Sequence, residues 1–209
     1  KNDFNSFTIN RSHEYDKKTS HFFGNVDLTN LKVNFPEINF FKKNSNKSNL
    51  TFDLKLIKKK NINIKKILFQ SKKTNIVISN LNLNKSFEVI NFKTITIKTF
   101  SNKIKNNDFK IEKSEKIKVS GEVFDATSIL KSIYETNSKK IFNKDFISNF
   151  SIDLNKVITG TDDNLSDLSI IGFINKGSLD KLSLKGNFSE NEILEISVYK
   201  INDSEKTLQ

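Results

Sequence analysis

Few residues in this chain have the type and spacing that chemistry needs. Two histidines, His13 and His21, stand in the polar opening stretch. A zinc site would set such imidazoles at HExxH or finger spacing, with cysteines or carboxylates completing the shell. The chain has no cysteine, which removes thiolate metal sites, cysteine nucleophiles and disulfides together. Both histidines are expected at exposed loop positions, and no metal site is expected.

Asp125 and Ser128 are close enough to suggest part of a hydrolytic set. No G-x-S-x-G elbow surrounds the serine, however, and no histidine is near it in sequence. Asp162 and Asp163, in the GTDDNLSD that follows from Gly160, raise calcium, but the EF-hand register of glycine at the sixth position and Glu at the twelfth fails. A solvated hairpin loop is the better reading there. The acidic pairs Glu112 with Glu115 and Glu190 with Glu192 fall in polar turns, where nothing would raise a pKa for acid–base work. The six glycines are too dispersed for a phosphate loop. The expectation is a non-enzymatic chain with no catalytic residue and no cofactor.

The elements that must carry any function are strands. Apolar residues recur with period two, which places them on one face of a sheet and polar residues on the other. Phe52, Leu54 and Leu56 alternate with Thr51, Asp53 and Lys55. Ile76 and Ile78 give way to Leu81 and Leu83, a change of parity that predicts a bulge or short turn near Ser79 and Asn80. The same rhythm continues through Ile95 and Ile97, Ile117 and Val119, Leu182 and Leu184, and Ile196 and Val198. It predicts a mostly β fold of about a dozen strands in antiparallel meanders. The residues named in this paragraph from Phe52, Leu54 and Leu56 through Ile76, Ile78, Ile95, Ile97, Ile117, Val119, Leu182, Leu184, Ile196 and Val198 are the candidates to line a groove or a core.

One helix is expected within the strands, near 125–138. Ile129, Leu130, Ile133 and Tyr134 fall together on one side of it. Asp125 suits its N-cap, because a carboxylate there accepts free backbone N–H groups at the positive end of the dipole. The expected organisation is a polar N-terminal segment over 1–21, a β-meander over 22–124, helix and connection over 125–148, and a meander continuing the same sheet over 149–209. Within the first segment, Asn5 to Asn10 reads as an edge strand with its partner outside the sequence. Residues 139–148 read as either a further helical turn or a loop.

The formal charge is +11, with abundant Lys and Asn and no Trp or Met. Such a charge raises nucleic acid or an anionic membrane surface. The lysines, though, are scattered as pairs and triplets along the chain, and Arg11 is the only arginine. Dedicated nucleic-acid binders concentrate charge on one element and use arginine for phosphates and bases. Most of these lysines are expected on solvated faces, and no nucleic-acid partner is expected. No stretch approaches the ~20 apolar residues that span a bilayer.

A dozen half-apolar strands cannot leave their apolar face in water. A second sheet, the helix as a partial lid, or acyl chains in a lipid groove would each cover it. Sequence physics alone favours the sandwich.

Three runs carry a family resemblance. VSGEVFDATSILKSI (Val119 to Ile133) resembles the strand–glycine–helix element of AsmA-like proteins of the YhdP branch, related to TamB. VDLTNLKVNFPEINFFKK (Val26 to Lys43) is similar to that branch's D-L-T strand followed by Pro-Glu and an aromatic-x-Lys, filled here by Asp27, Leu28, Thr29, Pro36, Glu37, Phe40 and Lys42. SIDLNKVITGTDDNLSDLSI (Ser151 to Ile170) resembles its strand, glycine turn and strand. Phe40 stands where a Trp is commoner and Lys43 where a Pro is usual. The resemblance implies a fragment of a periplasmic protein anchored in the inner membrane outside this segment. The fold it implies is an elongated curved antiparallel sheet, a β-trough or groove whose apolar interior would carry phospholipid acyl chains between the inner and outer membranes, with neighbouring segments of the same parent chain as partners. The alternatives are a structural or adhesive β-sandwich domain and a basic nucleic-acid-binding module.

Overall fold

The computed structural model describes residues 6–57, 61–135, 146–160, 164–189, 192–200 and 206–208. Asp162, Asp163 and Glu190, most of the ambiguous 139–148 stretch and the end of the expected helix at 136–138 lie outside them. The chain divides into two compact units, one of Lys1–Phe35 with Phe40–Lys105, the other of Pro36–Asn39 with Asn106–Gln209. Both are mostly β and largely antiparallel, with a single α-helix among the described residues.

The first unit contains β1 (Phe7–Glu14), β2 (Thr19–Asp27), β3 (Val33–Phe35), β4 (Phe40–Lys42), β5 (Asn49–Ile57), β6 (Ile62–Ser71), β7 (Thr74–Leu83), β8 (Val89–Asn91) and β9 (Thr94–Ser101). Its main ladder runs β1-β2-β5-β6-β7-β9, with β8 on β7, while β3 and β4 pair separately. Within the polar opening stretch, Phe7–Glu14 is therefore a strand and not a loop. Alternation of Phe7, Ile9 and Arg11 with Thr8, Asn10 and Ser12 suits an edge strand, and β1 finds its partner in β2 rather than outside the sequence. His13 and His21, expected on loops, are strand residues of β1 and β2.

The parity change in β7 is absorbed inside the strand. Asn80 takes a φ of 52°, and the residues on either side pair as Ile78 with Ile67 and Leu81 with Ile64. Because the β5–β6 register shifts between Asp53 and Leu54, Phe52 and Leu54 meet the same Ile67 and Ile64. These irregularities keep Phe52, Leu54, Ile64, Ile67, Ile78 and Leu81 on one face, where simple alternation would turn half of them over.

The second unit contains a single 3₁₀ turn (Pro36–Ile38), β10 (Ile104–Lys113, from Asn106 onward), β11 (Ile117–Asp125), α1 (Thr127–Glu135), β12 (Ser148–Ile158), β13 (Leu165–Asn175), β14 (Ser178–Ser189), β15 (Glu192–Lys200) and β16 (Lys206–Leu208). These strands are ordered as in the sequence. β11 and β12 are parallel, a departure from the all-antiparallel expectation. Parallel neighbours cannot be joined by a tight hairpin, and the connection that carries α1 supplies the required crossover.

Asp125 sits at the join of β11 and α1. Its Oδ1 accepts the Thr127 N–H at 3.2 Å, and Ala126 N–H reaches Ile158 O at 2.9 Å. Its Oδ2 accepts from Asn39 Nδ2 at 2.9 Å and from Asn106 Nδ2 at 3.1 Å. Asn107, fully buried, accepts the Asp125 N–H on Oδ1 at 2.9 Å and donates Nδ2 to Ile38 O at 2.7 Å. The amide side chains and the carboxylate satisfy one another, as buried polar groups must.

Candidate functional site: the apolar sheet faces

Directly opposed residues of neighbouring strands share a sheet face. In the first unit the register therefore builds rows. One runs Gly24, Phe52, Ile67, Ile78, Ile95, and the next Phe22, Leu54, Ile64, Leu81. A third runs Ser20, Leu56, Ile62, Leu83, and a fourth Val26, Leu50, Phe69, Ile76, Ile97. The opposite face carries polar rows such as His21, Lys55, Asn63, Asn82.

The second unit repeats the device. One row runs Ile111, Val119, Ile152, Ile170, Leu184, Ile196 without a polar interruption. Beside it lie Ile117, Phe150, Gly172, Leu182 and Val198. The reverse face carries Lys110, Ser120, Asp153, Ser169, Lys185 and Glu195.

All thirteen apolar candidates fall on these two faces, seven positions in the first unit and six in the second. Twelve of them are half-buried. Ile97 is the exception, 7% exposed, because β4 packs against β9 at its end of the sheet. There Phe40 and Phe35 stand over Phe69, with ring centroids 6.0 and 6.4 Å from it. Over the rest of the first unit's face no second sheet lies among the described residues.

Several members of these rows are not among the thirteen candidates, Ile64, Ile67, Ile152 and Ile170 among them. Their alternation was visible, but which of them face each other depends on register and bulges that only pairing fixes.

The sandwich pattern needs two sheets; the β3–β4 pair is the only other one among the described residues. It is anchored by a buried cation. Lys42, 2% exposed, donates from Nζ to Leu28 O at 3.0 Å, Thr29 O at 3.2 Å, Lys43 O at 3.1 Å and Leu31 O. Desolvation holds its pKa below the ordinary lysine value, with Asp27 opposing the shift. Lys42 is thus an exception to the solvated faces expected of most of the lysines.

Lys110 hydrogen-bonds Glu112 at 2.7 Å and holds that carboxyl below its usual range, the opposite of a general acid's need. His21 Nε2 meets Asp53 Oδ1 at 2.5 Å on the polar face of the first unit, and no group of three or more metal-ligating side chains exists among the described residues. Helices long and apolar enough to cross a membrane are likewise absent among the described residues. Comparison with protein-family models, curated proteins and solved structures gives no match.

Proposed function

We propose that this chain is a segment of a periplasmic AsmA-like protein, anchored in the inner membrane through another part of its parent chain, that shields phospholipid acyl chains during transport between the membranes. The observation that carries this reading is the half-buried apolar face in each unit, assembled row by row from paired strands and lacking polar interruption in its central row. Contiguous apolar surface on this scale is a binding surface in soluble proteins. Acyl chains laid on it would stay out of water once they leave a bilayer, each covered methylene avoiding an exposure that costs ~0.8 kcal/mol. The mechanism is solvation alone, with no bond made and no proton moved. Lysines suit the water-facing reverse side, where Lys55, Lys66, Lys118 and Lys185 lie.

The test is native mass spectrometry with lipid extraction on the purified protein, combined with photo-crosslinking. Probes at Leu54 and Ile196 should capture phospholipid, and probes at Lys55 and Glu195 on the reverse faces should not. Absence of co-purifying phospholipid together with silent Leu54 and Ile196 probes overturns the reading. Ile97 is a poor probe site because protein already covers it.

A further inference from the structure

On the apolar face of the first unit, register sets a charged side chain at the rim, the β1 end. Register places Phe7, Ile9, Arg11 and His13 of β1 on that face, opposite Val26, Gly24, Phe22 and Ser20. Among the described, register-paired residues of the face, Arg11 is the one permanently charged side chain. Its guanidinium lies 5.7 Å from the Phe22 ring centroid, and its Nη2 reaches Ser20 Oγ at 3.4 Å. His13 Nδ1 meets the same Ser20 Oγ at 2.8 Å. Next to them is an open hollow of about 490 Å³ lined by His13, Tyr15, Lys18, Ser20, Leu56 and Ile57. Glu14, beside His13 in sequence, is tied to Lys17 at 2.9 Å.

We infer that this rim receives the phosphate of a phospholipid headgroup while the acyl chain lies along the strands toward Phe69. The inference rests on the lipid reading above and adds an anchoring point and a polarity to it. Two observations select a phospholipid. The first is charge complementarity: Arg11 and Lys18 supply cations, His13 and Ser20 supply polar atoms, and a guanidinium fork suits a phosphate's oxygens. The second is length. From Ser20 to Val26 the face extends about 20 Å along the strand, enough for the ~15 Å that one leaflet contributes to a bilayer's hydrocarbon core. At the far end the Phe35, Phe40 and Phe69 rings pack together, and the buried Lys42 cation there is taken up by backbone carbonyls.

The experiment titrates the purified protein with phosphatidylglycerol, with diacylglycerol of the same acyl length, and with inorganic phosphate, and reads retention by native mass spectrometry. The variants are Arg11→Gln with Lys18→Gln, and Leu54→Asp, each checked for native β-signal by circular dichroism. The charge variant, which removes two cations, should retain phosphatidylglycerol at least about tenfold more weakly, since one lost charge-assisted contact suffices for that, with diacylglycerol unchanged. Leu54→Asp should weaken both lipids. Undiminished phosphatidylglycerol binding by the charge variant overturns the headgroup site and leaves the acyl-binding reading standing. Inorganic phosphate binding as tightly as phosphatidylglycerol, insensitive to Leu54→Asp, overturns the lipid source. Failure of the native protein to hold either lipid overturns both the inference and the reading beneath it.

Discussion

The ring of Phe52 lies over Gly24, its cross-strand partner, so closely that a Cβ on Gly24 would collide with three of its atoms. The aromatic ring fills the gap that a glycine leaves in an apolar row. Phe150 covers Gly172 in the second unit in the same way. Gly24→Ala should therefore displace Phe52 and cost about 1–3 kcal/mol, the usual penalty of overpacking. In a urea-denaturation double-mutant cycle, Phe52→Ala should remove most of that penalty, because the colliding ring is gone. Additive effects would show that the ring and the glycine are not coupled.

Asn107 uses both ends of its amide, one on the Asp125 N–H and one on Ile38 O. A carboxylate at this position keeps the acceptor and loses the donor, setting an oxygen against the Ile38 carbonyl. Asn107→Asp should thus destabilise at least as much as Asn107→Ala, by about 1–3 kcal/mol for a buried group left unsatisfied. Chemical denaturation of the two variants at neutral pH decides it. A well-tolerated aspartate would mean that the site is open to water.

Period two made the strands legible, and the parity change from Ile78 to Leu81 located the irregularity that Asn80 takes up. The helix after Asp125 was legible from its apolar side and its cap. What alternation could not convey was pairing. Asp125 meets Asn39 and Asn106, and Lys42 meets the carbonyls of Leu28, Thr29 and Leu31, through chain reversals that leave no local periodic mark. Lys42 and Lys43 look alike in sequence, yet one is buried and the other exposed. The rim of the first unit was missed for a related reason. Arg11 and His13 belong to the apolar face only once β1 has been paired with β2.

Lys42 makes a prediction about pH. Burial disfavours its charged form, so the folded state holds the proton less tightly than the unfolded chain does. In the alkaline interval below the ordinary value of 10.5 the unfolded state then binds the extra proton, and raising the pH through that interval favours folding. Below the interval both states are protonated and this contribution to the slope vanishes. Lys42→Met should abolish this component of the pH dependence. It should also cost about 1.5–3 kcal/mol or more at neutral pH, since the carbonyls lose a charged donor. Urea midpoints for both proteins between pH 7 and about 10 supply the comparison, and identical slopes would remove Lys42 as their source.

Ile170 and Ile171 are adjacent in β13 and point to opposite faces. Ile170 lies in the central apolar row between Ile152 and Leu184, whereas Ile171 stands between Ser151 and Ser183 with 60% of its surface exposed. A lysine at 171 adds one more solvated charge to a polar face and should shift stability by no more than about 0.5 kcal/mol. At 170 the same substitution sets a charge among half-buried aliphatic side chains. It should destabilise by about 1–3 kcal/mol and sharply reduce retained phospholipid. The pair separates a lipid-bearing face from general effects of added charge, because both variants carry the same net charge and differ only in the face that receives it. Equal phospholipid retention by Ile170→Lys and Ile171→Lys, with both proteins folded, would place the bound lipid somewhere other than this face.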